Sequence, residues 1–393
     1  MKAFAAAALA AVLLAGAPAR AEGQGPITVG VLVTLSGPGA VLGQHARDGF
    51  ELALKQHHGR LGGRDVNLVV VDDELKPDVA VERARRLIEQ DKASFIVGPI
   101  FSNVLAAIFR PVTTDAILIS PNAGASTFAG KACSPSFFVT SYENNQVHEV
   151  SGEYAQRKGY KRAFLIAPNY QAGKDAIAGF KNTFKGDVLD EDYVPLTQLD
   201  FQADLARIQA AKPDVIYAFL PGGLGVSFVK QFRQSGLADS IPFLSAFTVD
   251  ESTLPAQKDA AVGMYGGMTW APNADNPANK AFEPAFEAAY HYVPASYAMQ
   301  AYDAAQVIDA ALTKTGGDFT DKDKLRAAMR GAQISSPRGP FRFNTNGYPI
   351  QDFYLVQVAK RADGQFETEI RDLVFKDYAD QFAKDCPLRP LSP

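Results

Sequence analysis

From Ile27 onward, short runs of β-branched and aliphatic residues alternate with stretches whose apolar residues recur at helical spacing, and few folds accept that alternation. ITVGVLV (27–33), VNLVVVD (66–72), SFIVG (94–98) and AILIS (116–120) read as strands buried on both faces, as in a parallel sheet. Between the first two, Ala46, Gly49, Phe50, Ala53 and Leu54 keep helical spacing, and Val81, Ala84, Leu87 and Ile88 do so between the next two. The same alternation restarts after Tyr142. Helices are expected near 144–158, 172–184, 203–211 and 225–235, among the strands RAFLIA, DVLDEDYV, DVIYAFL, PFLSA and VGMYGG. After Trp270 helices dominate, at 276–290, 296–315 and 321–332, before strand-like FYLVQVAK and TEIRDLVF close the chain.

Late helices need a sheet to cover. Returning them to the first sheet and sending the last strands to the second gives crossings near 141, 270 and 346. The expected architecture is α/β, with two doubly wound parallel-sheet lobes joined by a three-strand hinge. The lobes would comprise 22–141 with 271–345, and 142–270 with 346–393. Such sheets bind ligands at the carboxyl ends of their strands, which here face a cleft between lobes.

Residues 1–21 read as a cleaved export signal: Lys2 is a short positive region, Phe4 to Ala15 an apolar run, and Ala19-Arg20-Ala21 a small-x-small cleavage site. The apolar run is about half the ~20 residues that span a bilayer, so no membrane insertion is expected. The expected location is the periplasm. Removing Lys2 and Arg20 with the signal leaves 37 basic against 43 acidic residues, a net charge of −6. That mild acidity argues against nucleic acid or an anionic membrane as partner. In an exported chain, Cys133 and Cys386 are most simply a disulfide, with two free thiols the other reading.

Catalytic and cofactor signatures are weak. Gly37-Pro-Gly39-Ala-Val-Leu-Gly43, with Asp72 and Asp73 ending the next strand, imitates a dinucleotide fingerprint, but the third glycine is one position late and Pro38 stiffens the turn. It reads instead as a turn that approaches the cleft. The sequence has no GxSxG elbow, no phosphate-binding GxxxxGK[ST] loop and no HExxH zinc motif. No cofactor, no metal and no enzymatic activity are expected. The five histidines are dispersed and read as surface residues.

Two loops carry more. Gly98-Pro-Ile-Phe-Ser102-Asn103 ends one strand and opens a helix, so the Ser102 hydroxyl and the amides after it face out of a helix N-terminus. Ser120-Pro-Asn-Ala123-Gly124-Ala-Ser126-Thr ends the next strand with small residues that expose backbone N–H groups. Together they form a seat for a carboxylate. The plainer alternative is a simple N-cap and an ordinary turn.

Several segments then carry a resemblance: VGVLVTLSGPGAVLGQHARDGFELAL, FIVGPIFSNV, ILISPNAGAS, NYQAGKDAIAGFK and PDVIYAFLPGGLGVSFVKQFRQSGL. The chain resembles the periplasmic solute-binding proteins of ABC importers, of the leucine/isoleucine/valine-binding type. The resemblance implies a small-molecule carboxylate ligand, closure of the lobes, delivery to an inner-membrane permease, and a monomer. It also implies carboxylate contacts at Ser102, Ala123, Gly124 and Ser126. Amino-acid members hold the ligand ammonium with an acidic side chain, and Phe247 stands at that position here. The family's aromatic-contact position falls on Ala172, with Tyr170 two residues earlier. Tyr142, Tyr170, Phe219 and Phe247 would form an aromatic wall without a cation anchor, and Gly222 and Gly223 would shape its edge. An unpaired buried ammonium is strongly disfavoured, so a zwitterion fits poorly. Members that import aromatic acids look similar in the NAGAS loop and in a cysteine pair placed like Cys133 and Cys386. The expected ligand is a benzoate-like, hydroxybenzoate-like or phenylpropenoid acid. The alternatives are a branched-chain amino acid held by Asp250 or Glu251, and an exported α/β enzyme.

Overall fold

The computed structural model describes residues 25–389, so the expected export signal lies outside the described residues. The first sheet uses β1 (Ile27–Val33), β2 (Arg60–Leu61), β3 (Arg64–Asp72), β4 (Phe95–Val97), β5 (Ile117–Ser120) and β6 (Phe137–Val139) in the order β2-β3-β1-β4-β5-β6. All neighbours run parallel except the two-residue hairpin β2–β3. Helices α1 (Ala40–Gln56), α2 (Pro77–Glu89) and α3 (Ser102–Asp115) connect successive strands.

The second sheet uses β7 (Arg162–Pro168), β8 (Asp187–Val194), β9 (Val215–Ala218), β10 (Phe243–Ser245), β11 (Tyr265–Met268), β12 (Arg342–Phe343), β13 (Pro349–Lys360) and β14 (Phe366–Tyr378). Their order is β12-β13-β11-β10-β9-β7-β8, with β14 on β13. The core of this sheet is parallel, and β13 joins antiparallel to β11 and to β14. Helices α4 (Gln146–Arg157), α5 (Gln171–Thr183), α6 (Gln202–Ala211), α7 (Gly223–Gln234) and the short α8 (Leu254–Gln257) belong with it. Period-2 alternation explains why both faces are covered. Phe164 and Ile166 enter one apolar cluster with α6 and α7 residues, while Ala163, Leu165 and Ala167 enter the other with α4 and α5 residues.

Helices α9 (Pro277–Tyr290), α10 (Ser296–Lys314) and α11 (Lys322–Arg330) return to the first half, where α10 lies along α1 and beside β2. The two-lobed parallel-sheet architecture is therefore present. Three local expectations change. VNLVVVD is half-buried rather than buried, because β2 covers it only at Arg60 and Leu61. The crossing expected near 346 lies inside the β12–β13 hairpin, which pairs Arg342 with Ile350 in the second sheet. Finally, β6 is a strand that the sequence reading did not contain.

Where the chain passes between halves, Arg338 is fully buried and donates to the carbonyls of Thr140 and Ser141, to the Asp303 carboxylate and to Gln351 Oε1. One guanidinium thus fastens the crossing segment after β6 to α10 and β13. Cys133 and Cys386 form a disulfide that ties the C-terminal segment to the first half across 253 residues of sequence. By loop-closure entropy a link that long contributes at most about 5 kcal/mol.

Candidate functional site

The carboxyl ends of β4 and β5 carry the two loops that the sequence singles out. Phe101 is extended, and α3 starts at Ser102, so the amides of Ser102, Asn103 and Val104 precede the first intrahelical bond, from Leu105 N–H to Phe101 O. Ser102 is buried, and its Oγ accepts from Asn144 Nδ2 at 3.2 Å. The hydroxyl proton is therefore left to donate elsewhere. Ala123 N–H lies 3.5 Å from Pro99 O, a long contact that leaves this amide weakly engaged.

Ser102 and Ala123 face a narrow cavity between the halves, together with Ile100, Phe101 and Asn122. Tyr142, Asn144, His148, Tyr170, Phe219 and Pro221 form the other wall, and Leu42 and Tyr297 close the sides. The cavity is a narrow slit of about 350 Å³, open solvent at its mouth included. A larger guest requires the walls to part. Tyr170 and Phe219 stack at 6.4 Å, Phe101 approaches Tyr170 at 6.2 Å, and Phe219 meets His148 edge-on at 4.9 Å. These rings form a slot suited to a flat apolar guest.

No Lys, Arg, Asp or Glu is among the cavity-lining residues. Positive potential comes instead from the N-terminus of α3. Burial pushes His148 down to about 3, so its imidazole is neutral, and it holds the Tyr142 and Tyr170 phenols above their ordinary value. Asp250 stands behind the wall. Its Oδ1 accepts from Ser252 N–H at 2.8 Å and from the Ser252 hydroxyl, while the buried Oδ2 has no partner among the described residues and burial raises the carboxyl to about 6. Glu251 Oε1 accepts from the Thr368 amide and hydroxyl at 2.7 and 2.6 Å.

Other expected residues lie elsewhere. Gly124 N–H donates to Asn144 Oδ1 at 3.0 Å, and the Ser126 hydroxyl donates to Asp175 Oδ1 at 2.7 Å, so these donors already serve the protein. Asn103 is not among the cavity-lining residues, and its buried Oδ1 has no partner among the described residues. Phe247 is a backing residue, stacked at 5.2 Å on Tyr142 and 5.6 Å from Tyr297. Gly222 and Gly223 lie against Pro38 of the facing half, where a Cβ on Gly222 would come within 2.7 Å of the Pro38 carbonyl oxygen. They mark where the halves meet.

Of the dinucleotide-like glycines, Gly39 and Gly43 serve packing while Gly37 takes a positive φ in the turn, and the acidic pair organises the adjoining turn. Asp72 Oδ1 accepts from the amides of Leu35 and Glu74, and Asp73 Oδ1 from the Thr34 hydroxyl and Leu75 N–H. The reading of all five histidines as surface residues is corrected for His45 and His148, both buried. Asn144, His148 and Tyr297 were missed as cavity residues. A signal existed for the first two: the largely polar run from Thr140 to Glu149 leads from the end of β6 into the first turn of α4 and is buried throughout, so its polar groups need partners.

Among known proteins, a Leu/Ile/Val-binding protein homolog 6 from Brucella melitensis biotype 1 is 29% identical over 377 residues, covering 93% of this chain and 95% of the relative. A solute-binding protein of an ABC transporter from R. palustris, solved in complex with benzoate, is 34% identical with a TM-score of 0.88, covering 93% of this chain and all of the other. Another from Rhodopseudomonas palustris BisB5, solved with 3,4-dihydroxybenzoic acid, is 30% identical with a TM-score of 0.85, covering 91% of this chain and 99% of the other. Residues 26–365 match the family model for periplasmic binding proteins, and with the two-lobed fold and the cleft between its halves, the chain belongs to that family of solute-binding proteins.

Proposed function

We propose that this protein captures a small aromatic carboxylate between its lobes and delivers it to an inner-membrane ABC permease, as a monomer exported to the periplasm with its signal removed after Ala21. The lobes in this reading divide near 141, near 270 and before β12, with 22–141 and the helices after 271 in one and 142–270 with the β12–β13 hairpin and the rest of the chain in the other. The observation that carries the proposal is the cavity wall, which combines a helix N-terminus and the Ser102 hydroxyl with stacked aromatic rings and no charged side chain. An anion is stabilised there by the amides and the hydroxyl, whereas an ammonium finds no carboxylate on the wall. The benzoate and dihydroxybenzoate complexes of the two structural relatives support the same ligand class.

The test is thermal denaturation of protein stripped of carried-over ligand by unfolding and refolding, against aromatic acids, aliphatic acids and amino acids. Ligand at 100 times its Kd adds about 2.7 kcal/mol to stability, enough for a clear shift in midpoint. A shift with benzoates is expected. Ser102→Ala should weaken that binding by about 1–3 kcal/mol in calorimetry while leaving the unliganded melting point near wild type. Unchanged affinity would take Ser102 out of the seat.

One observation favours a second reading, a branched-chain amino acid. Asp250 Oδ2 is buried with no partner among the described residues, and its charge adds to the burial that raises the Tyr142 and Tyr297 phenols. If leucine binds and leucic acid, which lacks the ammonium, does not, Asp250 holds the cation and the aromatic reading fails.

A further inference from the structure

His148 is buried on α4, lines the cavity from the second lobe, and has one hydrogen-bonded ring nitrogen. Its Nδ1 is bonded to the Tyr217 hydroxyl, and among the described residues Nε2 has no protein partner. Phe219 packs edge-on against the imidazole at 4.9 Å and Tyr217 lies at 6.0 Å, so the ring is clamped. A polar atom held in place and turned to an aromatic slot discriminates among guests more than it stabilises the fold.

We infer that His148 is a specificity-determining residue whose Nε2 hydrogen-bonds a ring hydroxyl of the ligand, making the preferred ligand a hydroxybenzoate-type acid with its hydroxyl remote from the carboxylate. The inference rests on the aromatic-carboxylate reading above. Ser102 and the N-terminus of α3 seat the carboxylate on the first lobe, and His148 reads the far side of the ring from the second. Tyr217 sets the polarity. A phenol is a stronger donor than an imidazole N–H, so its proton goes to Nδ1 and leaves Nε2 as the N–H that faces the guest. A neutral donor suits a phenol oxygen, and burial keeps the imidazole neutral. Benzoate itself would leave this N–H without a partner in a desolvated slot. A hydroxyl ortho to the carboxylate would lie on the Ser102 side and miss it.

The experiment is calorimetry of refolded protein with benzoate, 2-hydroxybenzoate, 3-hydroxybenzoate and 4-hydroxybenzoate, for wild type, His148→Leu, His148→Gln and Tyr217→Phe. Wild type should bind the 3- or 4-hydroxy acid at least tenfold tighter than benzoate and 2-hydroxybenzoate. In His148→Leu the ratio should fall below about twofold. His148→Gln, whose side-chain N–H reaches a similar place, should recover part of it, and Tyr217→Phe should fall between, which keeps the inference testable should the leucine variant fail to fold. If benzoate binds wild type as tightly as every hydroxy acid, or if His148→Leu and Tyr217→Phe both keep the full preference, the role of His148 is refuted and the aromatic-carboxylate reading stands. If no aromatic acid binds while leucine does, that reading falls, and the role of His148 with it.

Discussion

At the residue scale, the cleft shows how a buried ionisable group records its surroundings. Glu251 is buried and its carboxyl is raised to about 8, with desolvation the largest cause and the neighbouring Asp250 the next. The folded state therefore holds a proton that the unfolded state has lost above the ordinary carboxyl range, so this group's contribution to stability falls as pH rises from about 4.5 through 8. His45 and His148, lowered to about 3, act in the opposite sense and only below about 6.5, where the unfolded chain takes up protons that the folded chain refuses. Between pH 6.5 and 8 the carboxyl effect is unopposed by them. Wild type should lose about 1–2 kcal/mol more stability over that interval than Glu251→Gln, which keeps the acceptor for Thr368. Urea denaturation at the two pH values reads the difference, and parallel changes in both proteins would sink the prediction. At this scale the sequence was legible where backbone geometry does the work: Ser102 and Ala123 reach the cavity because a strand end and a helix start put them there. It was opaque where a side chain's role depends on what packs against it. The polar run around His148 hints that its groups need partners but not which ones; those that cover it, Tyr217 and Phe219, lie about 70 residues away.

At the element scale, periodicity located nearly every helix and most strands, because both faces of each sheet are covered and burial forces apolar residues into the register of each element. What it missed is short and depends on distant partners. Strand β6 is three residues long and exists because β5 offers it an edge, and β12 exists because β13 folds back on it. The glycine cluster before α1 shows how a motif can be read for the wrong purpose. A Cβ on Gly43 would lie 1.9 Å from the Thr34 carbonyl oxygen, so glycine lets α1 pack onto the chain that leaves β1. Gly43→Ala would gain about 1 kcal/mol of helix propensity. Against this, displacing a helix from backbone it touches opposes by about 2–3 kcal/mol, the upper part of the overpacking range, because the wall has no flexible side chain to yield. The expected result is a net loss of about 1–2 kcal/mol of stability, read by urea denaturation. A variant as stable as wild type would mean that α1 slides freely over the strand.

At the scale of the whole molecule, the proposed ligand seat and the contact between halves share one set of hydrogen bonds. Asn144 donates to both Ser102 Oγ and Asp175 Oδ2, at 3.2 and 2.9 Å, and accepts from Gly124 N–H at 3.0 Å. Asp175, on α5 of the second half, also accepts from the Ser126 hydroxyl and amide of the first, at 2.7 and 3.3 Å. Ser126 thus contributes to closure rather than to the cavity wall. Opening the halves would exchange these bonds for water, so their net worth is well below their strength in the closed cleft. Losing one carboxylate that serves four donors, the fourth being Gln171 Nε2, should still shift the equilibrium toward the open form by about tenfold. Asp175→Ala should therefore weaken every ligand by a common factor of about ten, because only the competent fraction changes and no ligand contact is removed. Small-angle scattering of the unliganded variant should show a larger radius of gyration than wild type. Ser102→Ala makes the contrasting case, since it deletes a donor from the seat and leaves the Ser126–Asp175 bonds between the halves in place. If Asp175→Ala changes the ranking of benzoate against its hydroxy derivatives, Asp175 meets the ligand directly, and closure is not what it controls.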